Sequence, residues 1–377
     1  MTTGVVLLNF GEPAEPDREA VVDYLQRIFL ANADLEDAEE PTARAMTLAQ
    51  RRAPGLIEEY EVIGGSPLNA QATDQADRLD ALLTERGHDV ETFSGMQYTA
   101  PFIEDAVEAA READVDELLA LPSYPLCGPS TTIMALEELQ DALAATDWDV
   151  PVQELTGWHT HSQYRAMRAD AIREFADRET VDLEAPETAL VFSAHGTPQH
   201  YLGEGSRYDQ YVHEHCDAVS DRLPVEDYEL GYQNHENRDI PWTEPDVEDL
   251  IEDLGSGHGG EAAEGGTGAR GGEDGEGGAG VERVVVDPIS FVHEQSETLM
   301  ELDVELREAA EAVGLDFYRV PIPHDDPRLE GTFADLLEPF LDDGDRDGVS
   351  DPAAAGFAQC ECRDRPGTMC LNAPHED

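Results

Sequence analysis

Apolar positions along the chain fall into two alternating rhythms. Val5 to Phe10 is a short continuous apolar run stopped by Gly11 and Pro13, as a buried strand requires, and Asp17 to Leu30 then carries Val21, Val22, Leu25, Ile28 and Phe29 at helical spacing. After the loop Gly64-Gly65-Ser66-Pro67-Leu68, the pattern predicts a helix to about Glu85, a strand at Val90 to Phe93 and a helix over 101–112. A strand ending near Leu121, the loop PSYPLCGPSTT, a helix to about Ala145 and a strand from Val150 to Leu155 complete this half. The rhythm restarts after Gly157 with a helix from about His161 to Ala176, a strand at Thr188 to Phe192, a helix from about Tyr208 and a strand near Tyr228 to Tyr232. A helix from Asp246, a strand at Glu282 to Val286, a long helix from about His293 to Val313, a strand at Leu315 to Val320 and a helix from Arg328 to Leu341 follow. Such alternation predicts an α/β class built from parallel crossover units.

Three regions are therefore expected: an α/β domain over 1–157, a second over 158–342, and a cysteine-bearing tail over 343–377. The stretch 255–280, GSGHGGEAAEGGTGARGGEDGEGG at its core, has almost nothing apolar to offset the ordering of its glycines and reads as a disordered insertion. Ligands of open α/β sheets bind beyond the carboxyl ends of the strands, so an active cleft between the halves is expected. Phe10 to Pro13, Ser94 to Tyr98, Ser123 to Thr132, Ser193 to Pro198 and Pro288 to Phe291 each follow a predicted strand there. None of these turns carries a GxGxxG or Walker A pattern, so no nucleotide cofactor is expected.

Charge changes the picture of the solvent more than that of the fold. The 377 residues hold 23 Lys and Arg against 84 Asp and Glu, a formal charge of −61, and all the basic residues are arginine. Such self-repulsion is largely screened near molar salt, where the Debye length is about 3 Å, so a halophilic, salt-rich cytoplasm is expected. Nucleic acid, which needs clustered basic side chains, is not expected as a partner. The N-terminal MTTGVVLLNFGEP has no basic leader and only a strand's length of apolar residues, so neither a signal peptide nor a transmembrane segment is expected.

Three local features carry chemistry. In VFSAHGTP, His195 leaves an apolar strand for a glycine-containing loop, where an imidazole serves as a general base, as a neutral nitrogen ligand, or only to hold the turn. In HEQSETLMELDVEL, read as an α-helix, Glu294, Glu297, Glu301 and Glu305 share one face and Leu299, Leu302 and Leu306 another. That acidic face is a solvated surface unless its first turns meet the cleft, where shielded carboxylates pass protons or cations. In QCECRDRPGTMC, Cys360, Cys362 and Cys370 supply three soft ligands, leaving an iron–sulfur centre, a structural zinc and free thiols open. Cys127 is the better fourth donor; Cys216 falls within a predicted helix and reads as a small buried hydrophobe. His159 and His161, spaced i and i+2 where a helix begins, read as capping or surface residues more readily than as a metal-ligand pair; Trp242 either packs or stacks on a planar ligand, and Phe10, Met96, Tyr98 and Tyr124 supply further flat or soft surface.

These segments resemble ferrochelatase, which inserts ferrous iron into a porphyrin. The resemblance covers nearly the whole chain: LLNFGEP, GGSPL, SGMQYTAPFIEDAV, LPSYPLCGPSTT, FSAHGTP, YQNHENRDIPWTEPDVEDL and PISFVHEQSETLMELDVE occur in the family's order and spacing. It implies two similar Rossmann-like domains, each with a four-stranded parallel sheet flanked by helices, and an ATP-independent chelatase. It places the family's facing histidine and glutamate on His195 and Glu297; Glu294 and Glu301 are then assigned behind them as further metal or proton groups, and Phe10, Met96, Tyr98, Tyr124 and Trp242 as candidate walls for the macrocycle. The partners it implies are a porphyrin (protoporphyrin IX or coproporphyrin III), Fe²⁺ as substrate and haem-pathway enzymes. Some members hold a [2Fe–2S] cluster on one internal and three C-terminal cysteines, a count that Cys127, Cys360, Cys362 and Cys370 fit. A cobalt or nickel chelatase acting on sirohydrochlorin and a non-catalytic tetrapyrrole carrier are the alternatives. The chain departs from many relatives at Glu294-Gln295, where they read aspartate-histidine, at Phe10, where some have tyrosine, and at Gly203 to Tyr208, which reads GEGSRY.

Overall fold

A computed structural model describes residues 1–33, 40–233, 240–256, 280–341, 353–363 and 365–372. The insertion expected at 255–280 lies, apart from its ends, outside the described residues. The chain divides into two units: Met1–Trp158, His293–Ser296 and Leu329–Asp377 form the first, His159–Val292 and Glu297–Arg328 the second. This differs from a simple division near 157, because the last helix and the tail return to the first unit and a four-residue segment visits it just before Glu297.

In the first unit, β1 (Thr3–Asn9) is buried along its whole length, which its unbroken apolar run allows only between two other strands. It pairs in parallel with β2 (Val90–Met96) and β3 (Glu117–Pro122), and β3 pairs with β4 (Val152–Thr156). Helices α1 (Arg18–Ala31), α2 (Pro41–Ile63), α3 (Leu68–Glu85), α4 (Ile103–Glu112) and α5 (Met134–Thr146) connect them. Asp17 starts α1 by accepting the Glu19 and Ala20 backbone N–H groups at 3.0 Å. Beyond β1 the chain turns at Gly11, whose φ of +80° and close approach to Thr99 and Met96 leave no room for a Cβ. Val6 and Leu8 on one side of β1 pack with Ile103, Val107, Leu136 and Leu139 into an apolar core.

The sheet has six strands, ordered β2-β1-β3-β4-β10-β9, rather than the four expected. The tail supplies the extra two: β10 (Thr368–Cys370) adds in parallel to the edge of β4, and β9 (Ala358–Gln359) pairs antiparallel with β10. Buried Glu154 on β4 fastens them, accepting from Arg363 Nε at 3.0 Å and from the Thr368 hydroxyl. An edge strand leaves backbone N–H and C=O groups unpaired, and here the tail satisfies them.

The second unit has a four-stranded parallel sheet, as expected, ordered β6-β5-β7-β8 from β5 (Thr188–His195), β6 (Glu229–Gln233), β7 (Arg283–Asp287) and β8 (Asp316–Arg319). On one face Ala189, Val191, Val284 and Val286 pack against α9 (Val247–Ser256), a π-helix over Glu297–Leu306 and its continuation α10 (Arg307–Ala312). Helices α6 (Ser162–Glu179) and α8 (Tyr208–Ser220) pack on each other, with the short α7 (Gln199–Gly203) between β5 and α8; α11 (Pro327–Leu337) leads back to the first unit. Arg168 on α6 and Asp287 at the end of β7, each 1% exposed, form a buried ion pair with nitrogen–oxygen distances of 2.5 and 2.7 Å. No helix among the described residues is long and apolar enough to cross a membrane.

Candidate active site

His195 is the last residue of β5, so the strand's pairing holds its backbone while its ring stands at the sheet's carboxyl edge. Its N–H donates to Ser290 Oγ and its carbonyl accepts from the Tyr208 hydroxyl, both at 2.9 Å. Nδ1 lies 2.6 Å from the Gly196 carbonyl, which only accepts, so Nδ1 carries a proton. Nε2 is left facing Glu297 Oε1 at 3.0 Å. One proton then lies between imidazole and carboxylate.

Burial pulls the His195 pKa down, but the Glu297 carboxylate, by charge and hydrogen bond, outweighs it and lifts the value from 6.5 to about 9. The His195 side chain keeps 36% of its exposure and that of Glu297 16%, so the pair is accessible yet shielded. Glu301, one turn on, is driven well above the ordinary carboxylate range, first by burial and then by the charge of Glu297. Gln233 Nε2 donates to Glu301 Oε2 and to the Glu297 carbonyl, both at 3.0 Å.

The segment carrying these glutamates corrects the α-helical reading. From Glu297 to Leu306 the backbone is a π-helix, and Glu294 lies ahead of it in the segment belonging to the first unit, where its N–H donates to Gln71 Oε1 at 2.9 Å. Four carboxylates therefore do not share one helical face: Glu297 and Glu301 meet beside His195, and Glu305 is exposed. Neighbouring Ser296 donates through N–H and hydroxyl to buried Glu12 of the FGEP turn.

The aromatic candidates divide between the units. Half-buried Trp242 lies beside the loop that leaves His195: its carbonyl accepts from Gln199 Nε2 at 2.8 Å, and Thr243 N–H donates to the Thr197 carbonyl at 3.0 Å. In the first unit Phe10 packs edge-on against Tyr98, with centroids 4.6 Å apart, and the Tyr98 hydroxyl reaches Met134 Sδ. Met96 is fully buried against Leu68, Ala72 and Phe10, so it and Tyr98, 4% exposed, form the bed beneath Phe10. Half-buried Tyr124 donates to Gln97 Oε1 at 2.7 Å.

Among the described residues no three His, Cys, Asp or Glu side chains converge on one position that could hold a metal ion. The four candidate cysteines nonetheless meet pairwise: Cys127 hydrogen-bonds Cys362, and Cys360 lies between Cys362 and Cys370. These contacts, with burial, push the Cys127 and Cys360 thiols up, while Cys360 draws Cys370 down. Gly157, at φ +69°, is a second position where only glycine fits, because a Cβ there would overlap Cys370 Sγ. Cys216 is fully buried on α8 in the other unit, and burial lifts its thiol pKa. His159 is buried beside Tyr211 and His215, 3.6 Å from Glu214, so it is not a surface residue, and His161 stands at the N-cap position of α6.

Sequence reading singled out His195 and the glutamates but missed the residues that fix them. Gln233, Ser290 and Ser193 are single polar residues at strand ends or just beyond, without spacing to mark them. The Arg168–Asp287 pair had a signal: Asp287 ends the apolar run VVVD, where a buried carboxylate requires a cation.

The arrangement can accept, hold and pass protons beside two carboxylates able to meet a cation. A family model for ferrochelatase matches residues 2–260 and 275–340. A ferrochelatase of Picosynechococcus is 33% identical over 350 residues, covering 90% of this chain and 83% of the relative, and one of Aquifex aeolicus is 29% identical over 342 residues, covering 90% and 99%. Among solved structures, SirB from Bacillus subtilis with Fe³⁺ aligns with 90% of this chain and 96% of its own at a TM-score of 0.49 and 10% identity. With the histidine–glutamate pair placed at the sheet edge and the match running through both units, the chain belongs to the ferrochelatase family of metal chelatases.

Proposed function

We propose that the protein inserts Fe²⁺ into a porphyrin, protoporphyrin IX or coproporphyrin III, with release of two protons, as a step of haem synthesis in a salt-rich cytoplasm. The observation that carries this reading is the His195–Glu297 pair at 3.0 Å, backed by Glu301. A free porphyrin presents two pyrrole N–H groups that a divalent ion must displace. His195, once neutral at Nε2, accepts a pyrrole proton and hands it to Glu297, and Glu301 is the next acceptor. The same carboxylates, when ionised, draw the cation and replace part of its lost hydration. In the second unit, half-buried Trp242 is the proposed contact for a macrocycle face; in the first unit, Phe10, supported by Met96 and Tyr98, and Tyr124 are proposed tetrapyrrole-binding residues. Glu294, held by its backbone to Gln71, is proposed as an outer acidic group.

Anaerobic incubation with protoporphyrin IX, coproporphyrin III or sirohydrochlorin and Fe²⁺, Co²⁺ or Ni²⁺ tests this by absorbance. Molar potassium chloride keeps the −61 charge screened. Metallation of a porphyrin by Fe²⁺ is expected; turnover of sirohydrochlorin alone, or tight binding of a tetrapyrrole without metallation, would overturn the reading.

The pKa of His195 fixes a pH dependence. The ring is largely protonated at pH 7 to 8, so metallation is expected to quicken as pH rises toward about 9. In Glu297→Gln the main raising influence is gone while burial still pulls the value down against the smaller raising effects of the Gly196 carbonyl and Glu301, so the limb moves to lower pH and the rate falls. The sign for stability is the reverse: the protonated ring stabilises wild type fully below 6.5, and that contribution fades as pH approaches 9. Thermal midpoints across this range should fall in wild type and stay flatter in the variant.

We also propose a [2Fe–2S] cluster on Cys127, Cys360, Cys362 and Cys370. The meeting of Cys127 with Cys362, and of Cys360 with Cys362 and Cys370, supports this reading. When bound, such a cluster would tie the tail strands to the loop after β3. Cys362→Ser is expected to lose the visible absorption and bound iron of the purified protein and to lower its thermal midpoint; a colourless, iron-free wild type would sink the assignment.

A further inference from the structure

We propose that Gln233 is a positioning residue that sets the spacing of the histidine and both carboxylates through one fully used side-chain amide. It is the last residue of β6, 2% exposed, opposite His195 in the parallel register, and its carbonyl accepts the Gly196 N–H at 2.9 Å. Its Oε1 accepts the Ser193 hydroxyl at 2.8 Å, two residues before His195 on β5. Both amide hydrogens then point the other way, one to the Glu297 carbonyl and one to Glu301 Oε2, each at 3.0 Å. A flipped amide would set its oxygen against the Glu297 carbonyl and the Glu301 carboxylate, so the geometry admits one orientation.

Three elements are thus fixed relative to one another: the strand that ends in His195, the backbone of the π-helix at its first residue, and the side chain of Glu301. A π-helix is an uncommon backbone that needs an outside reason to begin where it does, and a buried donor on the Glu297 carbonyl supplies one. An ionised Glu301 also needs a donor in a shielded place, and Gln233 provides it without adding charge. Gln233 therefore acts on metal delivery through its neighbours and does not touch the tetrapyrrole.

This rests on the chelatase reading, and the experiment separates the two. Wild type, Gln233→Met, Gln233→Glu and Gln233→Asn are compared for kcat, metal KM and porphyrin Kd, and for Co²⁺ binding without porphyrin by calorimetry. The methionine keeps the volume and removes all three hydrogen bonds; the glutamate keeps the acceptor for Ser193 and loses both donors; the asparagine keeps the amide but is one methylene short. Each is expected to lose about 10–100-fold in kcat/KM for the metal and to bind Co²⁺ more weakly, with porphyrin Kd unchanged. Wild-type metal KM and Co²⁺ affinity in the variants, a loss shared equally by porphyrin Kd, or unfolding of all three would overturn the positioning role. Absence of metallation by wild type, with Co²⁺ binding still weakened in the variants, would instead count against the chelatase reading alone.

Discussion

His195→Ala is expected to lower kcat for metallation by about 10²–10⁴ while leaving the fold and porphyrin binding in place. The size follows from the loss of the proton acceptor nearest the sheet edge: Glu297 remains, but the imidazole through which its charge acts at 3.0 Å is gone. Stability should fall by what the protonated ring contributes below about pH 9 and change little above it, because what else His195 gives the fold is backbone. Its N–H to Ser290 and its carbonyl to Tyr208 survive the substitution, as does its pairing with Gln233. The side chain is 36% exposed, so its removal opens no cavity in the core. Stopped-time absorbance with porphyrin and Fe²⁺, set beside porphyrin fluorescence quenching for binding, distinguishes lost chemistry from lost binding. A variant with wild-type kcat would remove His195 from the mechanism; one that loses binding and rate together would make it a wall residue.

The sequence made His195 and Glu297 legible because both follow strands whose apolar runs end abruptly, VFSAHG and VVVDPISF, and the ends of such strands are where α/β sheets place their chemistry. It did not make the π-helix legible: glutamates and leucines at spacings of three and four satisfy an α-helical pattern, and contacts such as that of Gln233 with the Glu297 carbonyl, where the wider turn begins, come from residues distant in sequence. The helix Pro41–Ile63 was hidden for another reason. Much of its buried face is alanine, at Ala45, Ala49 and Ala53, and Pro54 stands inside it, so neither hydrophobic contrast nor an unbroken run marked it. The tail strands β9 and β10, two and three residues long, are too short to show any period; only their pairing with β4 makes them strands. Cysteine spacing marked the tail as chemical; Cys127, read from its loop as the better fourth donor, lies against Cys362 in the first unit, and Cys216, read from its helix as a small hydrophobe, is fully buried on α8 of the second.

The largest expected loss of stability is at Arg168. Its guanidinium donates to both oxygens of Asp287 and to the carbonyls of Pro288, at 3.0 Å, and Phe291, at 3.2 Å, so one buried cation holds the whole turn that follows β7. Arg168→Met would leave the Asp287 carboxylate, 1% exposed, without its cation, a change worth about 3–5 kcal/mol. For a unit of this size that corresponds to a fall of roughly 6–20 °C in thermal midpoint. Two further measurements separate this mechanism from a general effect of charge. Molar salt, which screens the repulsion of an acidic surface, should not restore the variant, since a pair this deep lies beyond the reach of counterions. Adding Asp287→Leu should restore much of the loss, because replacing a buried pair by apolar groups is often near neutral whereas breaking one is not. Ser290, within the same turn, accepts the His195 N–H, so the single variant should also lose metallation activity below its unfolding temperature. If Arg168→Met melts with wild type, or the double variant melts lower than the single, then the pair is not what holds the turn, and the placement of His195 depends on the strand alone.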